Sequence, residues 1–441
     1  MADAARRMRD LAEKALRGPF PLRIRAWDGS EAGPPDAPTL VMRRRRALRR
    51  LLWKPGELGL ARAWVAGDLD IEGDLYEALD LIAGIVWDTG EDGAPHPGRF
   101  RRAADLLRDP HTYRLAREAL VLAGPGLPPS PPPEEARRRF GPLHSPGRDK
   151  QAISHHYDVG NDFYERVLGP SMVYSCAYWE HPDTTLEEAQ RAKLDLVCRK
   201  LALRPDQTLL DVGCGWGSMV LHAAEHYGVR AVGITLSTEQ AAYARKRVAE
   251  AGLTDRIDIR VQDYRAVADG PYDAISSIGM AEHVGRDLYR EYAAHLYGLL
   301  RPGGRLLNHQ IARRPWADEE AYHVDEFIDR YVFPDGELAP VGSTVSRLEE
   351  AGFEVRDVEA LREHYALTLR AWVRNLEDHW QEAVRLAGAG RARVWRLYMA
   401  ASALSFEQNR IGVNQVLAVR TRPSGAAGMP PARPWPEQLK A

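Results

Sequence analysis

Apolar residues beyond position 200 follow two alternating periods. Short apolar runs occur in TLLDVG, AVGITLS, IDIRVQDY, YDAISSIGM and GRLLNHQI, which begin at residues 208, 231, 257, 272 and 304. Between them, residues 218–228 and 238–252 repeat apolar side chains at helical spacing. Strands that alternate with helices of this length predict an α/β fold built on a parallel, doubly wound sheet. From Asp325 to the end, helical segments separated by short loops predict insertions and a helical cover.

The first 123 residues have a different pattern, which predicts a smaller N-terminal α+β module. Residues 22–27 and 39–42 are strand-like, and residues 57–82 predict a helix, a glycine turn and a second amphipathic helix. No cluster of titratable side chains there suggests chemistry. We therefore interpret residues 1–123 as a binding or scaffolding module.

A proline- and glycine-rich segment, GPGLPPSPPPEEARRRFGPLHSPGRDK, covers residues 124–150. Proline and glycine at this density do not sustain a helix or a sheet, so the segment predicts a linker. The α/β domain is then expected at residues 151–441.

Charge is balanced overall but uneven along the chain. The 441 residues carry 60 Lys and Arg against 62 Asp and Glu, a formal net charge of -2. This balance argues against a nucleic-acid-binding protein, which normally has a large basic excess. Residues 43–46, 49 and 50 are all arginine. Such a cluster is suited to anionic phospholipid head groups, at about 1 kcal/mol for each charge, but a solvated basic helix face remains an equal alternative.

Three cysteines, Cys176, Cys198 and Cys214, have no metal-ligand spacing and offer no disulfide framework. They favour a reducing cytoplasm and predict no metal site. The charged start of the chain is not a signal peptide, and no run of about 20 apolar residues could cross a bilayer. We therefore expect a peripheral protein that contacts lipid only at the inner surface of the membrane.

The most specific local pattern is Asp211-Val-Gly-Cys-Gly-Trp-Gly217, between a predicted strand and a predicted helix. Gly213, Gly215 and Gly217 let the backbone approach a ligand at the carboxyl edge of the sheet. A dinucleotide loop is the rival interpretation, but its glycines are spaced as GxGxxG. An acid at the strand end would also repel a pyrophosphate, whereas it suits the ammonium and ribose hydroxyls of S-adenosylmethionine. We therefore predict a class I S-adenosylmethionine methyltransferase with a Rossmann-like sheet.

The ends of the next two predicted strands supply further candidate cofactor residues. These are Thr235, Leu236, Ser237 and Gln240 for the ribose, where an acid is more usual, and Gln262 and Asp263 for the adenine. The Asn/Asp-Pro-Pro-Tyr/Phe tetrad that a flipped base requires is missing, so DNA is not the expected substrate.

Together with this loop, five further motifs resemble the cyclopropane fatty-acid synthases, a family that includes the mycolic-acid cyclopropane synthases. They are HHYDVGNDFY (155–164), YSCAY (174–178), GITLSTEQ (233–240), IGMAEHVG (278–285) and EHYALTL (363–369). The resemblance covers about residues 150–415. It adds Tyr174 and Ser175 to the cofactor site and implies that the first motif is a lid.

The resemblance also implies the chemistry. Family members methylate the carbon–carbon double bond of an acyl chain, and a bound bicarbonate removes a proton from the resulting carbocation. Its ligands here would be Cys176, Glu282, His309, the backbone of Ile311 and Tyr365. Two negative charges would repel, so Glu282 or the ion must share a proton, and the pair would titrate as a unit.

Simpler roles remain open for these residues. Cys176 and Tyr365 could be core packing, His309 a satisfied core histidine, and Glu282 a helix cap. Two departures from the family pattern are Ser402, where some members have a cysteine, and Ala281, where many have a bulky aromatic residue.

The product also remains open between a cyclopropane and a 10-methylene group. A methylene product would call for a reductase partner, and whether the chain forms a homo-oligomer is not determined. The expected partners are the bilayer surface and its unsaturated phospholipid acyl chains. The alternatives are N- or C-methylation of a soluble small molecule, and a lipid-binding protein without catalysis.

Overall fold

The computed structural model describes residues 3–16, 18–89, 95–97, 110–136, 143–145, 147–149, 159–316, 319, 322 and 324–433. The contacts divide the chain into two compact units. The first comprises residues 1–137, 325–332 and 387–404, and the second comprises residues 138–324, 333–386 and 405–441. The predicted division at residues 124–150 stays a prediction. The contact-defined units differ from it because two late segments group with the N-terminal residues.

The first unit contains a four-stranded sheet with the order β2-β1-β3-β4. Its elements are α1 (Ala4–Leu16), β1 (Arg23–Arg25), β2 (Glu31–Ala32), β3 (Thr39–Met42), α2 (Arg45–Trp53), α3 (Glu57–Val65), β4 (Leu69–Glu72), α4 (Leu75–Val86), β5 (Trp87–Thr89), β6 (Pro95–Pro97) and α5 (Pro110–Ala123). The expected turn between two helices is in fact the strand β4. Its Leu69 and Ile71 are buried and alternate with Asp70 and Glu72, which is the period of a half-buried strand.

The arginine cluster is largely used inside this unit. Asp68, which is fully buried, accepts two hydrogen bonds of 2.8 Å from Arg46 and one of 3.1 Å from Arg50. Arg43 pairs with Asp70 at 2.9 Å, and Arg49 donates to the carbonyl of Pro125 at 2.8 Å. Acceptors within this unit therefore hold four of the six guanidinium groups, while Arg43, Arg44 and Arg45 are exposed, so both alternatives for this cluster stay predictions.

The second unit contains the seven-stranded sheet that the alternating pattern predicted. Its elements are α6 (Asn161–Leu168), α7 (Leu186–Leu201), β7 (Thr208–Val212), α8 (Ser218–Tyr227), β8 (Arg230–Thr235), α9 (Thr238–Glu250), β9 (Ile257–Val261), β10 (Tyr272–Ile278), α10 (Tyr289–Leu299), β11 (Leu300–Arg313), α11 (Val341–Glu350), β12 (Glu354–Ala360), α12 (Arg362–Asp378), α13 (Trp380–Ala387) and β13 (Ile411–Val419). Helix α14 (Ala389–Glu407) belongs mostly to the first unit.

The strand order is β12-β13-β11-β10-β7-β8-β9. Strands β7 to β11 pair in parallel, and β13 runs antiparallel between β11 and β12. The order reverses between β7 and β10, and in open α/β sheets a ligand binds beyond the carboxyl ends of the strands at such a point. The purely helical cover expected from Asp325 onward is wrong in part, because β12 and β13 complete the sheet there.

Two further predictions concern the linker and the membrane. Within the predicted linker, residues 124–136 contain no helix or strand, but residues 147–149 are helical, so the prediction that the whole segment lacks helix is wrong there. None of the described helices is both long and apolar enough to cross a membrane.

Candidate active site

The loop that follows β7 holds three glycines in left-handed backbone conformations. φ is +78° at Gly213, +53° at Gly215 and +82° at Gly217, a region that costs other residues about 1–2 kcal/mol. A Cβ on Gly213 would lie 3.3 Å from Met280 Sδ, and one on Gly217 would lie 3.0 Å from Ala244 Cβ. A Cβ on Gly215 would meet nothing within 4 Å. Gly213 and Gly217 thus let Met280 and Ala244 pack closely against the loop. At Gly215 the space beside the backbone is unoccupied by other protein atoms.

A pocket lies beside this loop, at the carboxyl edge of the sheet. Seven of the predicted cofactor residues line it, namely Gly213, Gly215, Thr235, Leu236, Gln240, Gln262 and Asp263. Gly279, Met280 and His283, from the loop after β10, complete the opposite wall. The residues that follow four strands, β7, β8, β9 and β10, therefore line one pocket beside the point where the strand order reverses.

Asp211 lies near the end of β7 and is buried. Its Oδ1 accepts a hydrogen bond of 2.6 Å from Ser276 Oγ. Burial raises the pKa of Asp211 to about 6, although the Ser276 bond and the charge of Lys193 favour the carboxylate. The buried acid is therefore a group that a cationic or hydroxyl-bearing ligand could stabilise in its charged form.

The predicted ribose residues bond to one another. Thr235 Oγ1 donates to Gln240 Oε1 at 2.8 Å, and Ser237 N donates to Thr235 Oγ1 at 3.2 Å. The Ser237 side chain accepts from Gln240 N at 3.2 Å and is the N-cap of α9. Gln240 thus keeps its amide NH2 as a donor beside the pocket, whereas Ser237 serves the helix and does not line the pocket.

Asp263 follows the third parallel strand and is held by Arg265. It accepts bonds of 2.9 Å from the Arg265 backbone and 2.8 Å from Arg265 Nε. Burial opposes the charge of Asp263, but these bonds outweigh it and lower the pKa below the usual value. Gln262 Nε2 donates to the Ala266 carbonyl at 2.9 Å. This edge of the pocket, which was predicted to hold the adenine, therefore carries an ionised acid in a fixed orientation.

The remaining predicted cofactor residues, Tyr174 and Ser175, lie against buried groups. Ser175 Oγ accepts a hydrogen bond of 2.8 Å from Lys193 Nζ on α7. Lys193 is buried, and burial lowers its pKa to about 8. Sequence reasoning did not single out this lysine, because a charged residue in an amphipathic helix is usually solvated.

Tyr174 belongs to a continuous series of ring contacts, which we call the aromatic row. The row consists of Trp216, Tyr164, Tyr174, Trp372, Tyr365 and Phe406, with successive ring centroids 4.7, 6.0, 5.4, 6.0 and 4.7 Å apart. It leads from the glycine loop to the candidate base residue Tyr365. Five of its six rings, all but that of Tyr174, are buried, so the row is packed in the interior of the unit.

The motif that was predicted to form a lid is described only in part. Its residues 155–158 lie outside the described residues, and its second half forms α6 from Asn161. Trp216 Nε1 in the glycine loop donates to Asn161 Oδ1 at 2.8 Å. Helix α6 is therefore attached directly to the glycine loop, and the lid itself stays a prediction.

Glu282 lies in the short helical turn after β10, between the pocket residues Met280 and His283. Its Oε1 accepts a hydrogen bond of 2.7 Å from the backbone N of Ile311 on β11. Its Oε2 is buried and has no hydrogen-bond partner among the described residues. Burial raises the pKa of Glu282 to about 7, and the Ile311 bond only partly offsets this. Near neutral pH the group can therefore give or take a proton.

His309 lies two residues before Ile311 and is buried. Its Nδ1 lies 3.2 Å from Gln415 Nε2 on the adjacent strand β13, whereas its Nε2 is buried without a partner among the described residues. Burial, together with the charges of Lys193 and Lys200, moves the pKa of His309 well below its ordinary value. The ring is neutral, and one of its nitrogens is left unsatisfied.

Cys176 and Tyr365 meet at the backbone of Leu361. The Cys176 thiol lies 3.6 Å from the Leu361 carbonyl, which also accepts from Tyr365 N at 3.1 Å. Leu361 N in turn donates to Val413 O at 2.8 Å, and Val413 is paired with Ile311 across the sheet. Backbone hydrogen bonds thus link β11, which carries His309 and Ile311, through β13 to the start of α12, which carries Tyr365.

Comparison with known proteins identifies the family. Residues 144–416 match the family model described as mycolic acid cyclopropane synthetase. The chain is 45% identical over 428 residues to a probable fatty acid methyltransferase of Mycobacterium tuberculosis, covering 95% of each protein. It is 38% identical to the cyclopropane-fatty-acyl-phospholipid synthase of Escherichia coli, over 60% of this chain and 66% of that protein.

A solved structure agrees with these matches. The crystal structure of the mycolic acid cyclopropane synthase CmaA1, complexed with SAH and CTAB, matches with a TM-score of 0.58 and 34% identity. The match covers 61% of this chain and 97% of that one. With the pocket at the strand reversal and the glycine loop beside it, these matches show that the chain belongs to the mycolic acid cyclopropane synthetase family and is an S-adenosylmethionine-dependent methyltransferase.

Proposed function

We propose that the protein transfers the methyl group of S-adenosylmethionine to the double bond of an unsaturated phospholipid acyl chain. The observation that carries this proposal is that two predicted base ligands, Glu282 and His309, each have a buried polar atom, Oε2 and Nε2, without a hydrogen-bond partner among the described residues. An unsatisfied buried polar atom is costly, and a bound ion is one explanation for it. The names of the similar proteins, which refer to fatty acids and acyl phospholipids, support an acyl substrate.

The reaction requires a dry site and a base. An isolated alkene is a weak nucleophile, and methyl transfer to it leaves a carbocation on the acyl chain that must lose a proton. Bound S-adenosylmethionine supplies the electrophilic methyl group, and bicarbonate is the proposed base. The aromatic row would exclude water and offer ring faces to the cation.

The residues present fit a small oxyanion. The unsatisfied Nε2 of His309 is suited to an oxygen acceptor once that nitrogen carries the ring proton, and a protonated Glu282 would donate from Oε2. Ile311 N already donates to Glu282, so an ion would share that donor. With the pKa of Glu282 at about 7, one proton can pass between the carboxyl group and the ion.

To reach a phospholipid chain, the protein must bind to a membrane. The first unit has exposed apolar side chains that are suited to this. Trp53, Leu120, Val121 and Leu127 have 55%, 52%, 64% and 86% of their surface exposed. Trp53 lies one helical turn beyond Arg49, which donates to the carbonyl of Pro125, and Leu127 follows Pro125 by two residues. We infer from this that the exposed apolar side chains lie near one another. We call these four residues the apolar patch. Arg43, Arg44 and Arg45, at the start of α2, are exposed and would favour an anionic bilayer.

The apolar site would restore the energy lost when a chain leaves the bilayer. Withdrawing about ten methylene groups forfeits ~8 kcal/mol of apolar burial. Loss of a proton from the transferred methyl group then gives a cyclopropane. A hydride shift before that loss gives a methylene branch, which a separate reductase could saturate.

Incubation of the protein with S-adenosylmethionine and vesicles of a monounsaturated phospholipid tests this proposal. The released fatty acids should gain one methylene unit in mass. A gain that resists mild hydrogenation identifies a cyclopropane, and a gain followed by hydrogen uptake identifies a methylene. No gain from a protein that binds the cofactor, together with turnover of a soluble amine, would establish the small-molecule alternative.

A further inference from the structure

Behind His309 lies a chain of buried polar side chains that reaches helix α7. Gln415, which is fully buried, faces His309 across the β11–β13 pair, and its Nε2 lies 3.2 Å from His309 Nδ1. The Oε1 of the same amide accepts a hydrogen bond of 2.8 Å from Lys200 Nζ. Lys200 is also fully buried and contacts the carboxylate of Glu359.

The direction of each hydrogen bond in this chain is fixed by chemistry. An ammonium group has donors only, so Lys200 requires the oxygen of the Gln415 amide. The NH2 of Gln415 must then point to His309, and His309 Nδ1 must accept. In the neutral ring the single proton is consequently on Nε2, the nitrogen that is buried without a partner among the described residues.

We propose that Gln415, oriented by Lys200, is a positioning residue that fixes His309 as an Nε2–H donor toward an oxyanion. This inference rests on the proposed function for the identity of the anion, which is bicarbonate. The opposite tautomer would turn a lone pair toward the ion and repel it. Lys200 and Gln415 do not line the pocket beside the glycine loop and would act only through the histidine.

Nuclear magnetic resonance of 15N-histidine-labelled protein tests the tautomer without any assay of activity, with His309→Gln to assign the signal. In the wild-type protein Nδ1 of His309 should be unprotonated and Nε2 protonated. In Gln415→Glu the carboxylate can only accept, so Nδ1 should become protonated while the pairing with Lys200 is retained. A wild-type Nδ1 that carries the proton would overturn the proposal.

The bicarbonate dependence of turnover gives the second measurement, in buffer freed of carbon dioxide. Gln415→Met should raise the apparent KM for bicarbonate about tenfold or more, as expected for a disturbed hydrogen bond to a charged group, and change kcat by less than about threefold at saturation. Gln310→Met is the matched control, since Gln310 is a buried amide of β11 that bonds to Thr344 at 2.8 Å and to no predicted base ligand.

The outcomes separate the two proposals. Equal KM values for Gln415→Met and Gln310→Met would contradict a positioning role for Gln415. A wild-type protein that turns over lipid without bicarbonate, or turns over no lipid, would contradict the proposed function, and the NMR signal of His309 would still decide the tautomer. If Gln415→Met does not fold, the signal of the ion-paired Gln415→Glu variant decides the proposal alone.

Discussion

Three ionisable side chains of the candidate base site have pKa values that burial shifts toward the neutral form. Burial raises the pKa of the Cys176 thiol and of Glu282, and it lowers the pKa of His309. Since a buried charge without a partner is costly, the protein avoids such charges here by protonation or deprotonation. An anion can therefore enter a site that carries little negative charge of its own.

The pH dependence of the stability of Glu282→Gln tests whether burial raises the pKa of Glu282. The pKa of Glu282 is about 7 in the folded protein against an ordinary value of 4.5. The folded state therefore holds a proton that the unfolded state releases, and stability falls as pH rises from about 4.5 to 7, by at most about 3 kcal/mol. The variant is always neutral at this position. Its melting temperature relative to wild type should therefore rise between pH 5 and 7 and stay constant above pH 8.

Glu250→Gln is the control for this series, because Glu250 is exposed at the end of α9. Its melting temperature should follow that of the wild type at every pH. Parallel curves for Glu282→Gln and wild type would contradict the buried, half-protonated state of Glu282.

The base site also marks how far sequence could predict individual residues. Asp211 and the three glycines were predictable, because a strand–glycine–helix pattern is local. The partnership of His309 with Gln415 was not, because it joins residues 106 positions apart through the register of two strands. Likewise, nothing in the sequence of α7 distinguishes the buried Lys193 and Lys200 from solvated lysines.

At the scale of elements, the five parallel strands were predictable because turns and amphipathic helices separate them. Strands β12 and β13 were not predicted. β12 has charged residues along its whole length, EVRDVEA, and so lacks a strand's usual apolar pattern. β13 pairs antiparallel with both neighbours and is therefore not part of the alternating strand–helix pattern. Their place in the sheet depends on tertiary pairing. β4 was missed because four residues are too short for a reliable periodicity.

The junction of β7, α8 and α9 gives a prediction at this scale. Gly217→Ala should lower the melting temperature and weaken binding of S-adenosylmethionine, since a Cβ there would lie 3.0 Å from Ala244 Cβ and φ is +82°. We expect a loss of roughly 2 kcal/mol, partly from backbone strain and partly from crowding. Thermal unfolding and calorimetric titration would measure the two effects.

Gly252→Ala separates strain from crowding. Its φ is +67°, but nothing lies within 4 Å of the added Cβ. It should therefore lose only the strain energy and bind the cofactor as the wild type does. Equal effects of the two substitutions on stability and on cofactor binding would show that packing against α9 does not shape the glycine loop.

At the scale of the whole molecule, one unit is the methyltransferase and the other has an exposed apolar patch. Replacement of Trp53 and Leu127 by serine should weaken binding to vesicles of anionic phospholipid about tenfold or more, since each large apolar side chain contributes about 1.5–3 kcal/mol when fully buried. Affinity for S-adenosylmethionine should not change. Vesicle sedimentation at low and high salt would measure the effect.

Leu386→Ser is the control, because Leu386 is a leucine of the other unit with 36% of its surface exposed. It should leave vesicle binding intact. Identical binding of the double variant and this control would mean that the apolar patch does not face the membrane.

The most direct measurement is the count of deuterium atoms transferred from S-adenosylmethionine with a CD3 methyl group to vesicles of monounsaturated phospholipid. Both proposed products require methyl transfer followed by loss of one hydrogen from that methyl group. Each modified acyl chain should therefore retain two deuterium atoms, for one molecule of S-adenosylhomocysteine formed, and saturated vesicles should give no product. Retention of all three deuterium atoms, or formation of S-adenosylhomocysteine without modified lipid, would contradict the proposed reaction.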